Sequence, residues 1–120
     1  VLNGNGEFDL EGLEEICFEI ISHSGQAKGL LMEAVGDSRA EHPDYSAIET
    51  MLKDARDELK VAQKAHLKVL SDFAQSRQGD AVNPLYIHAE DQMMSAEIFL
   101  DLLSELITTN KELQEIKQQL

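Results

Sequence analysis

A chain of 120 residues has the length of one domain with a modest core, and small helical domains often gain further buried surface by oligomerising. It carries 23 acidic and 10 basic residues, a formal net charge of −13, which excludes nucleic acid or anionic lipid held by bulk electrostatics and favours basic partners. The single cysteine, Cys17, excludes an internal disulfide and a thiolate zinc site, and it points to a reducing, cytoplasmic setting.

No window reaches the ~20 apolar residues of a membrane span, so no direct membrane insertion is expected, and no signal peptide is visible. The opening VLNGNGEF (residues 1–8) reads as a flexible arm or an appended expression remnant. Residues 9–120 read as one helical domain. Breakers cluster in GDSRAEHPD (36–44) and SRQGDAVNP (76–84), and they divide the chain into three segments of helical periodicity.

The first segment, about 9–35, opens on the acidic run DLEGLEE, a solvated helix start helped by the dipole. Leu13, Ile16, Cys17, Ile20 and Ile21 form its apolar face. Gly25 and Gly29 interrupt the second half, each costing about 1 kcal/mol against Ala. The expected return is close approach of another backbone or a kink.

The second segment runs from about Pro43 to Phe73 or Ala74. Pro43 suits a first helical turn and Asp44 complements the helix N-terminus. Ile48, Leu52, Ala55, Leu59, Ala62, His66, Val69 and Phe73 step by 4,3,4,3,4,3,4, which is a heptad seam. Ala55 and Ala62 narrow it. His66 is its polar member, either a core-edge histidine satisfied by a neighbour or a group facing a partner.

The third segment starts at about Asn83, a plausible N-cap, followed by Pro84 at the first turn. Ile87, Met94, Ile98, Leu102, Leu106, Leu113, Ile116 and Leu120 supply apolar faces, and the polar tail TTNKELQEIKQQL frays or extends as a coiled coil. The predicted fold is all-α, a three-helix up-down-up antiparallel bundle.

HAEDQ (88–92) concentrates titratable groups near the start of that helix. Asp91 continues into Met94, Ile98 and Leu102 by steps of 3,4,4 and so lies on the apolar stripe. There a carboxylate is costly unless paired, metal-bound or protonated. His88 lies near the positive helix end, where a bound anion is favoured. It is placed either to carry a phosphoryl group or to act as a satisfied structural histidine. No Glu-x-x-His, His-Glu-x-x-His, Walker loop or Gly-x-Ser-x-Gly elbow is present. Hydrolase, nucleotide and carboxylate–metal enzyme readings therefore lack support.

Two stretches carry a family resemblance. CFEIISHSGQAKGLLMEAV (17–35) resembles the first-helix signature of the enzyme IIA component of the lactose/cellobiose (chitobiose) family of the bacterial sugar phosphotransferase system, with Gly25, Ala27 and Lys28 at its Gly-x-Ala-basic run. HAEDQMM (88–94) resembles that family's active-site stretch, which usually reads His-Ala/Gly-Gln-Asp-His-Leu-Met. AHL (65–67) matches an Ala-His element of its second helix. The likeness spans about residues 10–110.

The resemblance implies a homotrimer of three-helix subunits. It implies that His88 accepts a phosphoryl group from phospho-HPr and passes it to a cysteine of enzyme IIB. It implies that Asp91 from three copies holds a magnesium ion on the trimer axis, a structural cofactor. Three carboxylates around one axis need such a cation. His66 is then the best neighbouring imidazole, and Glu90 and Gln92 join it as supporting positions.

Three positions depart from the family pattern. Glu90 replaces a Gln, Gln92 replaces a His, and Val69 stands where a Gln follows the Ala-His element. An extra carboxylate beside a phosphohistidine repels the phosphoryl group unless Glu90 points away or binds a cation. The competing reading is a trimeric regulator or scaffold of the same fold that has lost phosphotransfer. Elsewhere, His23 and His42 read as surface or packing residues, and Cys17, Met93 and Met94 as core.

Overall fold

The computed structural model describes residues 2–7, 9–76 and 83–120. Its helices are α1 (Leu10–Ser38), α2 (Tyr45–Ser76) and α3 (Pro84–Gln119). Most of the expected second breaker, residues 77–82, lies outside the described residues. Residues 2–7 form a turn in which the Asn3 side chain accepts from the backbone N–H groups of Asn5 and Glu7 at 2.9 and 3.0 Å.

Local chemistry sets the helix starts. Asn83 caps α3, its side-chain oxygen accepting from the N–H groups of Leu85 (2.9 Å) and Tyr86 (3.2 Å), and Pro84 opens the first turn. Both features follow the sequence expectation. At α2 the boundary shifts. Asp44 is the cap, accepting from Ala47 N–H at 3.1 Å, so Pro43 precedes the helix instead of lying in its first turn. α1 runs unbroken past Val35 to Ser38, whose buried hydroxyl donates to the Val35 carbonyl (2.7 Å) and accepts from Asn110 of α3 (2.9 Å).

Cross-helix pairs give the helix directions. Lys28 meets Gln92 and Ser38 meets Asn110, so α1 and α3 run parallel. Gln63 meets Glu97 and His66 meets Glu90, so α2 runs opposite to α3. The up-down-up bundle measures 68 × 20 × 17 Å. α1 is the central packing element, lying against both other helices.

The α2 seam is the spine of the core. Ile48, Leu52, Ala55, Leu59, Ala62 and Val69 are all buried, and His66 and Phe73 are half-buried at its end. They face Leu13, Cys17, Ile20, Ala27 and Leu31 of α1. Each buried Leu, Ile or Val is worth about 1.5–3 kcal/mol in transfer terms. Cys17 is core as expected, and its burial raises the thiol's pKa.

Two sequence expectations are corrected. Gly25 and Gly29 are exposed, and a Cβ at either would meet nothing within 4 Å. No backbone approaches them within the described chain. Met93 is core at 6 % exposure, but Met94 is 55 % exposed. Adjacent helical residues diverge by about 100°, so only one methionine of the pair can face inward.

Candidate functional site

The candidate site occupies the first turns of α3. Counting from Pro84, His88 is in the second turn. It is exposed, and no described hydrogen bond or ion pair engages its imidazole.

Glu90 is turned aside. One of its carboxylate oxygens lies 2.7 Å from His66 Nε2 and accepts from the Tyr86 hydroxyl at 3.1 Å. A proton on His66 Nε2 satisfies this arrangement. Tyr86 stacks parallel to His66, with centroids 6.1 Å apart, and its ring tilts against Phe73 at 5.2 Å. Burial, and then the Glu90 charge and hydrogen bond, push the Tyr86 hydroxyl well above its ordinary pKa, so it stays a donor at neutral pH. Tyr86 and Glu90 share a flank by i,i+4 spacing. His88 lies about 200° around the helix from each of them. The helix itself therefore separates the imidazole of His88 from the carboxylate.

Gln92 stands one turn beyond His88 on a neighbouring flank. Its Oε1 accepts from Lys28 Nζ at 2.8 Å, and the ammonium lies 5.7 Å from the centroid of the Phe99 ring. His66, named in the sequence as the neighbouring imidazole, faces Glu90 and Tyr86.

Asp91 is exposed, and no described partner holds its carboxylate. The aliphatic residues continuing its row are exposed as well. Ile87, Asp91, Met94, Ile98, Leu102, Leu106, Thr109, Leu113, Ile116 and Leu120 form one outward stripe along the whole helix. Its steps are 4,3,4,4,4,3,4,3,4, three successive 11-residue units. A period of 11 residues in three turns keeps such a stripe almost straight, with a slight right-handed drift. Among the described residues, no group of three or more His, Cys, Asp or Glu side chains gathers to hold a metal. Within the single chain Asp91 is not buried, so the expected cost of a carboxylate on an apolar stripe does not arise there.

Two polar clusters were missed or only half seen in the sequence. Tyr86 escaped notice, although its i,i+4 relation to Glu90 was readable. His23, read as a surface or packing residue, is half-buried between α1 and α2 and pairs through Nδ1 with Glu58. The Gln26 amide also lies against the Glu58 carboxylate, and turned so that its nitrogen faces Glu58 it would donate to both oxygens. His42 is exposed, as expected.

Residues 15–111 match the family described as the lactose/cellobiose-specific IIA subunit of the PTS system. The chain belongs to this family. It is 29% identical over 105 residues to the lichenan-specific phosphotransferase enzyme IIA component of Bacillus subtilis, covering 88% of this chain and 93% of the relative. It is also 29% identical over 112 residues to the N,N'-diacetylchitobiose-specific EIIA component of Escherichia coli, covering 88% and 89%. The cellobiose-specific EIIA component of Lactococcus lactis is 29% identical over 104 residues, covering 85% of each chain. No solved structure matches the chain significantly. The span matched to the IIA family contains His66 and the whole His88–Gln92 stretch. No helix among the described residues is long and apolar enough to cross a membrane.

Proposed function

We propose that this IIA-family chain is a cytoplasmic phosphocarrier of a sugar phosphotransferase system, with His88 as the residue that carries the phosphoryl group. A neutral imidazole nitrogen of His88 attacks phosphorus of phospho-HPr. The donor's phosphorus–nitrogen bond breaks, the donor imidazole regains a proton, and the proton on the other ring nitrogen of His88 passes to solvent. A cysteine thiolate of enzyme IIB then attacks the same phosphorus, the bond to His88 breaks, and the released imidazole takes a proton back from solvent. In both displacements the protein contributes position and charge stabilisation.

The observation that carries this reading is the division of labour around α3. His88 is open to solvent and unengaged, while Glu90, the carboxylate that would repel a phosphoryl dianion, is held on the α2 side by His66 and Tyr86. On this reading His66 supports transfer indirectly, by restraining Glu90. Gln92 keeps an amide one turn from His88, where a histidine is usual in the family pattern.

The exposed stripe supports the accompanying proposal of a homotrimer with α3 at its axis. Asp91 fits a shared magnesium site by the chemistry of its donors. Each chain offers one exposed, unengaged carboxylate on a symmetric seam, and hard oxygen ligands suit magnesium. Bound there, the ion would neutralise the three carboxylates. One chain alone does not supply a ligand set.

The test is direct. The protein is incubated with phospho-HPr, and the product is examined for an acid-labile, alkali-stable phosphoryl adduct. The expected result is one adduct per chain, absent in His88→Ala. An unlabelled wild type, or equal labelling of His88→Ala, refutes His88 as the carrier and leaves the scaffold alternative standing.

A further inference from the structure

We propose that Lys28 is a positioning residue for the phosphorylated form of His88: it orients the Gln92 amide and supplies the counter-charge to the phosphoryl group. The proposal rests on the reading of His88 as a phosphoryl carrier.

The geometry starts from helix direction. α1 and α3 run parallel, and helical side chains lean toward their own N-termini. Lys28 and Gln92 therefore both lean toward the end of the bundle that bears His88. His88 and Gln92 are four residues apart, with Cβ atoms about 5–6 Å from each other. Lys28 Nζ donates to Gln92 Oε1 at 2.8 Å. An amide whose oxygen is taken by an ammonium presents its NH2 on the other side. That orientation suits an anion on the neighbouring turn, and a reversed amide would present its oxygen to the same anion.

The charge argument is independent of the amide. The chain carries a net −13. A phosphoryl dianion placed on His88 is favoured by a cation within a Debye length of about 8–10 Å. Lys28 is half-buried, stationed by Gln92 and by the Phe99 ring, so little rotamer freedom remains to be lost when it turns to the phosphoryl group. Lys53 and Lys68 are instead tied to Asp57 and Asp72 on their own helix.

The test charges His88 chemically, without any protein donor. Phosphoramidate is attacked at phosphorus by the His88 imidazole nitrogen. The bond to nitrogen breaks, ammonia leaves, and the proton of the other imidazole nitrogen passes to solvent. The phosphorus NMR signal absent from His88→Ala is assigned to this site, and its pH titration gives the monoanion–dianion midpoint of the phosphoryl group. A nearby cation favours the dianion and lowers that midpoint. Lys28→Met is expected to raise it by about one unit, a tenfold change in the ionisation constant. Lys28→Arg should stay near wild type, which a purely packing role of Lys28 does not predict. Lys28→Gln serves in place of the Met variant if circular dichroism shows that one unfolded. An unchanged midpoint in the folded neutral variant overturns the proposal, and so does failure of phosphoramidate to label His88. If the midpoint shifts but phospho-HPr transfers nothing, the phosphocarrier reading fails while the role of Lys28 stands.

Discussion

α2 and α3 each carry a long apolar row at helical spacing, and the two rows have opposite fates. The α2 row, from Ile48 to Phe73, steps by seven residues per two turns and is buried or half-buried throughout. The α3 row, from Ile87 to Leu120, steps by eleven residues per three turns and is exposed throughout. Composition explains the division. The α2 row is narrow at Ala55 and Ala62, which lets α1 lie close. On α3 the buried positions are Ala89, Met93, Ala96 and Ile107, with Phe99, Leu100 and Leu103 partly buried against the core, while the large aliphatics of the row point out. An exposed apolar row of this length is the kind of surface that marks an interaction site.

The strongest way to break the comparison is to damage the buried row. Leu59 is 3 % exposed at the middle of the α2 seam. Leu59→Ala is expected to cost about 2–5 kcal/mol, seen as a lower denaturant midpoint at every protein concentration. A loss below about 1 kcal/mol would mean that the seam is not the spine of the fold.

The exposed row should respond differently. Ile98→Glu places a charge on the α3 stripe without opening a hole in the core. Sedimentation equilibrium should show dissociation to monomer, with helical circular dichroism retained in the single chain. An unchanged assembly mass would remove the stripe from the interface. Stability of an assembly also varies with protomer concentration, so unfolding of the wild type should depend on concentration and unfolding of this variant should not.

Asp91 sharpens the same contrast from the polar side. It interrupts the α3 row between Ile87 and Met94, where copies packed by the stripe would bring carboxylates together. Replacing buried charges by well-packed apolar groups is often neutral or stabilising, by about 1–4 kcal/mol. Asp91→Leu is therefore expected to keep or tighten the assembly and to make it insensitive to chelator. A monomeric Asp91→Leu, or a wild type that chelator leaves unchanged, would contradict the axial-metal reading.

The two rows also show how far the sequence could be read. The α2 seam was legible residue by residue, because a strict heptad admits one buried face. The helix order and the cap at Asn83 were legible for the same local reasons, whereas at α2 the sequence put Pro43 in the first turn and the structure makes Asp44 the cap. Periodicity on α3 located the stripe and the place of Asp91, but it could not say that the stripe lies outside the fold of the single chain. That depends on where α1 and α2 stand. Nor could spacing reveal that Glu90 would find His66, 24 residues earlier on another helix. The candidate site was thus half readable. His88 and Asp91 were found by position along one helix, whereas Gln92 and Lys28 were singled out only through the family likeness. The partners of Glu90 and Gln92 come from packing.

The smallest expected effect lies where the end of the α2 row meets α3. Tyr86 joins Phe73, His66 and Glu90 there. Its pKa is raised in the folded chain, by burial first and by Glu90 next. The neutral phenol is therefore favoured by folding. Its contribution is fully present below the ordinary tyrosine value of about 10, and it is lost as pH rises from there toward the folded value, because the unfolded chain ionises first. Tyr86→Phe removes this dependence and also the hydrogen bond to Glu90. Near neutral pH the variant should be less stable by about 1 kcal/mol. Above pH ~10 the gap should close, since only the wild type goes on losing stability by this route. Urea midpoints at neutral and alkaline pH measure the effect. A gap that widens with pH would show that the phenol ionises more readily in the folded chain than in the unfolded one, against the burial that ties the two helices together at the site.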